Sequence, residues 1–194
     1  MSTATETMGS AGAEPAPVDA LTVENIDVTY RVRGRPLVVV RDVSFRIARG
    51  ESYGLVGESG CGKSTIALAV VQYLARNGSV SKGAISIDGR DVLAMRGRDL
   101  RKLRSDTVSM VYQEPGKALN PTIRIGRQVA EVFEIDGLVK SESLDRAREM
   151  LEKGRISDPA GVMNRYPHQL SGGMLQGVVI AMALAAEPSL LILD

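Results

Sequence analysis

At 194 residues the chain is long enough for one domain with its own core, and a net charge of +1 gives it no overall pull toward nucleic acid or an acidic surface. No stretch approaches the about 20 apolar residues of a bilayer-spanning helix, and the longest apolar run, Val178 to Ala186, reads as a core helix. The single cysteine, Cys61, excludes an internal disulfide and makes a reducing cytosol the natural setting. Charge is nonetheless uneven: five acids and no base over residues 1–30, fifteen bases against six acids over 31–104, and nine against twelve over 105–194. The basic middle lacks the interleaved aromatic residues of a single-strand binding platform, so no nucleic-acid partner is expected.

Residues 1–19 are rich in Ala, Thr, Ser, Gly and Pro and read as a disordered tail, without the basic start or apolar run of a signal peptide. Leu21–Tyr30 and Leu37–Ile47, separated by Gly34, Arg35 and Pro36, read as two antiparallel strands. A short apolar strand over Tyr53–Val56 leads into a glycine-rich loop and a helix from Lys63 to about Ala75, stopped by Asn77-Gly78. Ala84–Asp88 reads as a strand ending in an Asp-Gly turn, and Asp106–Tyr112 as a further apolar strand. Residues 127–155 are helical, with Leu144, Ala147 and Leu151 on one face and Gly154 at the end. A last helix follows Ser171 and breaks at Glu187-Pro188, before a fully apolar buried strand, Leu190–Leu193, and the final Asp194. Alternating strands and helices make this an α/β fold.

The segment Gly57-Glu58-Ser59-Gly60-Cys61-Gly62-Lys63-Ser64-Thr65 satisfies G-x-x-x-x-G-K-[ST], between a predicted strand and a predicted helix. Glycines let the backbone wrap closely, so that successive N–H groups point at phosphate oxygens, and the helix start adds its positive dipole end. Lys63 supplies a mobile charge for the β- and γ-phosphates, and the Ser64 hydroxyl is suited to Mg²⁺. The loop therefore predicts binding of a nucleoside triphosphate. Cys61 sits at a variable position of the loop, where a bulky adduct would block nucleotide entry rather than remove a nucleophile.

Leu170-Ser171-Gly172-Gly173-Met174-Leu175-Gln176, preceded by Tyr166-Pro-His168-Gln, narrows the class. With the phosphate loop, Gln113 and Leu-Leu-Ile-Leu-Asp194, it resembles the ATP-binding subunit of ABC transporters over essentially everything from residue 21 onward. Val56-Gly-Glu-Ser-Gly-Cys-Gly-Lys63, Tyr112-Gln-Glu-Pro, Ala118-Leu-Asn-Pro121, Ile125-Gly-Arg-Gln128 and Arg165-Tyr-Pro-His-Gln-Leu-Ser-Gly-Gly173 resemble the oligopeptide, dipeptide and nickel importer branch.

That resemblance implies a P-loop NTPase fold with an antiparallel β subdomain, a RecA-like parallel-sheet core and an inserted helical subdomain. Residues 20–112 would form the β subdomain and first part of the core, 113–169 the glutamine loop and helical subdomain, and 170–194 the signature helix and the second phosphate-site strand. It implies ATP and Mg²⁺ as ligands, with Ser64, Gln113 and Asp194 managing the metal and Lys63 the phosphate charge. Leu170, Ser171, Gly172, Gly173, Met174 and Gln176 would act in trans on the nucleotide of a second ATPase subunit, identical or paralogous. Tyr30 matches an aromatic that stacks on adenine, with a buried strand tyrosine as the alternative. His168 reads as a residue of the helix approach. The implied assembly is peripheral, on the cytoplasmic face of the membrane, with integral permease subunits and, indirectly, an extracytoplasmic solute-binding protein. Alternatives are a non-transport ABC ATPase and a non-catalytic nucleotide-binding paralogue.

Three departures from the pattern stand out. Positions 175 and 177 hold Leu and Gly, where the family has a motif of the form Met-x-Gln-Arg, and an interior helix glycine costs about 1 kcal/mol. The glutamate and switch histidine that the family places after Asp194 are also not in the chain. The resemblance therefore implies a chain cut off at Asp194, short of some sheet strands, which binds ATP with little turnover and leaves Leu190–Leu193 as a poorly covered edge.

Overall fold

A computed structural model describes residues 18–135 and 137–194 of the chain; most of the expected tail lies outside them. The two predicted N-terminal strands are present and longer than expected: β1 (Leu21–Val32) pairs antiparallel with β2 (Arg35–Ile47). The turn between them is Arg33-Gly34, both with positive φ (49° and 80°), the conformation of a tight hairpin whose twist matches its strands. Arg35 and Pro36 accordingly belong to β2 rather than to the turn. β3 (Gly78–Ile87) pairs with the other edge of β1 and, through an Asp88-Gly89 turn, with the short β4 (Arg90–Asp91). The four-stranded order is β2-β1-β3-β4.

The helix after the glycine-rich loop, α1 (Lys63–Val70), stops several residues before the predicted end. Gln72 turns left-handed (φ 51°), and the Arg104 guanidinium donates to the carbonyls of Val71 and Gln72 at 2.9 and 2.6 Å, satisfying the acceptors a helix end exposes. Asn77 lies in a turn and Gly78 opens β3, so the pair does not stop the helix. After α2 (Gly97–Lys102) the chain makes a π-helical turn over Leu103–Thr107, so the next strand, β5 (Val108–Val111), is shorter than the predicted Asp106–Tyr112.

The helical stretch divides into α3 (Ile125–Ile135) and α4 (Lys140–Lys153), separated around Gly137, whose φ is 94°. Ala147 and Leu151 are fully buried and Leu144 packs beside them, as their spacing predicts. A short helix, α5 (Pro159–Met163), precedes α6 (Gly172–Ala185), and Glu187 turns the chain with φ 46° into β6 (Leu190–Leu193). β6 runs parallel to β5.

Two apolar clusters hold these elements. One joins β1, β3, α1 and the start of β5 with Leu190; the other joins α3, α4, α5 and α6 with Val111. Buried Gln128 of α3 ties the preceding loop down, accepting from the Asn120 amide at 2.8 Å and donating to the carbonyls of Asn120 and Ile123 at 3.0 and 2.7 Å.

Two expectations are corrected. Residues 51–58 form no strand, and Val56 is 93% exposed. β6 is not the fully buried strand its composition suggests but a partly covered one, as the resemblance implies: Leu190 is covered, but Leu193 is 66% exposed. Both have one cause. Among the described residues β6 is hydrogen-bonded only to β5, and a cavity of about 420 Å³ separates its Leu190–Asp194 from Tyr53–Leu55, so neither segment pairs with the other.

Candidate nucleotide site

The loop from Gly57 to Gly62 turns at Ser59-Gly60 and delivers the chain into α1 with Gly62 as its N-terminal boundary. Gly62 is in the left-handed region (φ 101°), and a Cβ there would stand 3.0 Å from Val40 Cγ2 and 3.4 Å from the Val39 carbonyl oxygen. Gly57 is crowded from within the loop, since its Cβ would lie 2.7 Å from Cys61 Sγ. No side chain caps the start of α1, which leaves the amides of its first turn for an incoming acceptor. Glu58, Ser59, Gly60, Cys61 and Ser64 are exposed, whereas Gly62, Lys63 and Thr65 are half-buried.

Lys63 folds back over its own loop, its Nζ donating to the carbonyls of Gly57 and Glu58 at 2.9 and 2.8 Å, with Cys61 Sγ at 3.7 Å. Carbonyls of the loop thus hold the cation in place, while the Cys61 amide donates to the Glu58 carbonyl at 3.3 Å. Ser64 Oγ donates to Asp194 Oδ1 at 2.7 Å across 130 positions of sequence. The Asp194 amide in turn donates to the Val111 carbonyl at 2.9 Å, which sets the end of β6 beside the end of β5. Lys63 and Asp194 line the same cavity. Hard oxygen donors from Ser64 and Asp194 thus face each other at the phosphate loop, the donor type Mg²⁺ prefers alongside phosphate oxygens and water.

The other expected residues, Gln113, Tyr30 and those of 170–176, do not line this cavity. Gln113 is exposed, two residues beyond Val111, at the same end of the parallel pair as Asp194. Tyr30 is half-buried against the first core, its ring so close to Gly78 that a Cβ there would lie 2.6 Å from Cε1. Ser171 caps α6, its Oγ accepting from the Met174 amide at 3.4 Å, while Leu170 and Met174 are half-buried and Gln176 is exposed. A Cβ on Gly172 or Gly173 would meet nothing within 4 Å, so no packing inside the molecule calls for glycine at either position. His168 stacks on Tyr166, ring centroids 5.7 Å apart, in the turn that leads to Ser171.

Three supports escaped sequence reasoning. Val39 and Val40 buttress Gly62, and only the run of valines in β2 hinted at them. Leu175 packs on Gly116, and Ile156 Cδ1 occupies the space a Cβ would take on Gly177, at 2.6 Å. The interior helix glycine is therefore paired with a side chain that fills its place.

The family model described as "ABC transporter" matches residues 40–194. The chain is 44% identical over 154 residues to the "Probable peptide ABC transporter ATP-binding protein y4tR" of Sinorhizobium fredii, covering 78% of this chain and 46% of that protein. It is 39% identical to the "Oligopeptide transport ATP-binding protein OppD" of Salmonella typhimurium, covering 93% and 54%. The "Glutathione import ATP-binding protein GsiA" of Salmonella paratyphi A is 38% identical, with 91% and 29% covered. The chain thus spans about half the length, or less, of these relatives. Among solved structures, the dimeric ATP-binding cassette MJ0796 bound to ADP and Pi superposes with a TM-score of 0.79 at 26% identity, covering 90% of this chain and 73% of that one. With its phosphate loop, its fold and these likenesses in agreement, the chain belongs to the ABC transporter ATP-binding family, and the similarity extends to peptide-importer members.

Proposed function

We propose that the chain is the ATP-binding part of an importer of peptides or a similar small solute, binding MgATP on Gly57–Thr65. The observation that carries this is the convergence of Lys63, Ser64 and Asp194 at one loop, from elements far apart in sequence. Lys63 would exchange its carbonyl partners for phosphate oxygens, and the α1 amides would take the oxygens it leaves. Ser64 and Gln113 would hold Mg²⁺, with Asp194 orienting the Ser64 hydroxyl and a metal-bound water. When bound, Mg²⁺ supplies charge neutralisation on the phosphates.

Tyr30 would meet the adenine ring, its face held by the core behind it. Leu170–Met174 and Gln176 would serve the nucleotide of a second ATPase subunit. Exposed Ser171, Gly172 and Gly173 suit that role, since glycine there answers to no neighbour in this molecule. The working division is 20–112, 113–169 and 170–194. The assembly would be peripheral on the cytoplasmic face, with permease subunits and a solute-binding protein. Among the described residues no helix is long and apolar enough to cross a membrane, which leaves membrane attachment to partners in this reading.

Equilibrium binding of a fluorescent ATP analogue with and without Mg²⁺ tests the site. Wild type is expected to gain affinity with Mg²⁺, and Ser64→Ala and Asp194→Asn to lose most of that gain while still binding metal-free nucleotide. Equal Mg²⁺ dependence in all three would refute the assignment. Co-purification of the protein with integral membrane subunits separates the transport reading from a non-transport ABC ATPase.

A further inference from the structure

The second contact of α6 lies on the 3₁₀ turn that follows Gln113, hereafter the Gln113 turn. Leu175 is one helical turn beyond Ser171, its amide donating to the Ser171 carbonyl at 2.9 Å, so the two share a face of α6. Its side chain is half-buried on the second core and reaches Gly116, with Cδ1 3.6 Å from where a Cβ would stand. Gly116 is the middle of a 3₁₀ turn, Pro115–Lys117, pinned by the Lys117 amide on the Glu114 carbonyl at 3.0 Å and by the Lys117–Glu114 ion pair at 2.8 Å. Gln113 lies immediately before this pinned segment. On another face of α6, Ile156, just beyond α4, seats against Gly177.

We propose that Leu175 is a positioning residue: it couples the Gln113 turn to Ser171–Gly173, so that a change at one displaces the other. This rests on the nucleotide reading above. The direction follows from the packing. Leu175 Cδ1 stands at van der Waals distance from where a side chain at 116 would begin, so movement of the turn is felt as a push or a gap at the first turn of α6. Leu175 touches neither nucleotide nor metal in this account.

Hydrogen exchange of the 194-residue protein, held monomeric by dilution and checked by light scattering, tests the coupling with MgATP as the probe. In wild type, MgATP is expected to slow exchange over residues 57–65 and 113–118, and to change it over 172–175 by at least about fivefold, the low end of couplings between sites. Leu175→Ala should keep the first two responses and lose the third. Leu175→Met, which preserves the reach of the side chain, should restore it, and Ile156→Val, which loosens α6 elsewhere, should leave it intact. Should Leu175→Ala fail to fold, Leu175→Val carries the same expectation with a smaller loss. A response at 113–118 with none at 172–175 in wild type would overturn the proposal, as would a full response in Leu175→Ala. Absence of protection over 57–65 would instead overturn the nucleotide reading, and the coupling with it.

Discussion

Gly177 sits inside α6, where alanine is ordinarily better than glycine by about 1 kcal/mol. Here the added Cβ would stand 2.6 Å from Ile156 Cδ1, a group in a residue only 9% exposed. Overpacking of that kind costs about 1–3 kcal/mol, so Gly177→Ala should be neutral to destabilising by about 2 kcal/mol rather than stabilising. Ile156→Val deletes the offending methyl and leaves Cγ1, which is 3.9 Å from the new Cβ. That substitution alone should cost about 0.5–1.5 kcal/mol. In its background, however, Gly177→Ala should recover the helix preference and stabilise by up to about 1 kcal/mol. Urea unfolding of the four proteins, followed by far-ultraviolet circular dichroism, gives the cycle directly. A favourable coupling of about 1 kcal/mol or more is expected, and additivity within about 0.5 kcal/mol would refute the claim that Ile156 and Gly177 are fitted to each other.

Gly62→Ala should destabilise the fold by about 1–3 kcal/mol and weaken ATP binding at least about tenfold, because its left-handed backbone is poorly open to alanine and Val40 stands in the way; calorimetric titration beside a melting curve checks both halves. The Arg127–Glu134 ion pair predicts acid sensitivity: the hydrogen bond from Arg127 holds the Glu134 carboxyl below its ordinary value of 4.5. A depressed folded-state value adds stability above the unfolded value and loses it as pH falls through the folded one, so the contribution should be full well above the ordinary value of 4.5 and shrink as pH falls below it. Urea midpoints between about pH 6 and pH 3 should fall less steeply in Glu134→Gln, and parallel curves would contradict the pairing.

The phosphate loop was legible because its chemistry is local. Glycine, lysine and serine stand at fixed spacing within nine residues, and the left-handed Gly62 explains why that spacing includes a glycine. The α3–α4 face was legible because helical period places Ala147 and Leu151 together. Pairing was less so. Tyr53–Val56 has the composition of a strand, but a strand exists only with hydrogen-bonded neighbours, and here a cavity lies between this segment and β6. The end of α1 was misjudged because the cap comes from Arg104, more than thirty residues on, which no local pattern announces. Gly177 looked like a cost on composition alone; only the fold shows Ile156 in the space.

The most direct measurement is calorimetric titration of ATP, in the presence of Mg²⁺, into wild type and Lys63→Ala at matched fold content. Wild type should bind one nucleotide per chain, and Lys63→Ala, which removes the side-chain cation hydrogen-bonded to the Gly57 and Glu58 carbonyls, should bind at least about tenfold more weakly. Equal affinity in the two proteins, or no binding by wild type, would contradict the account.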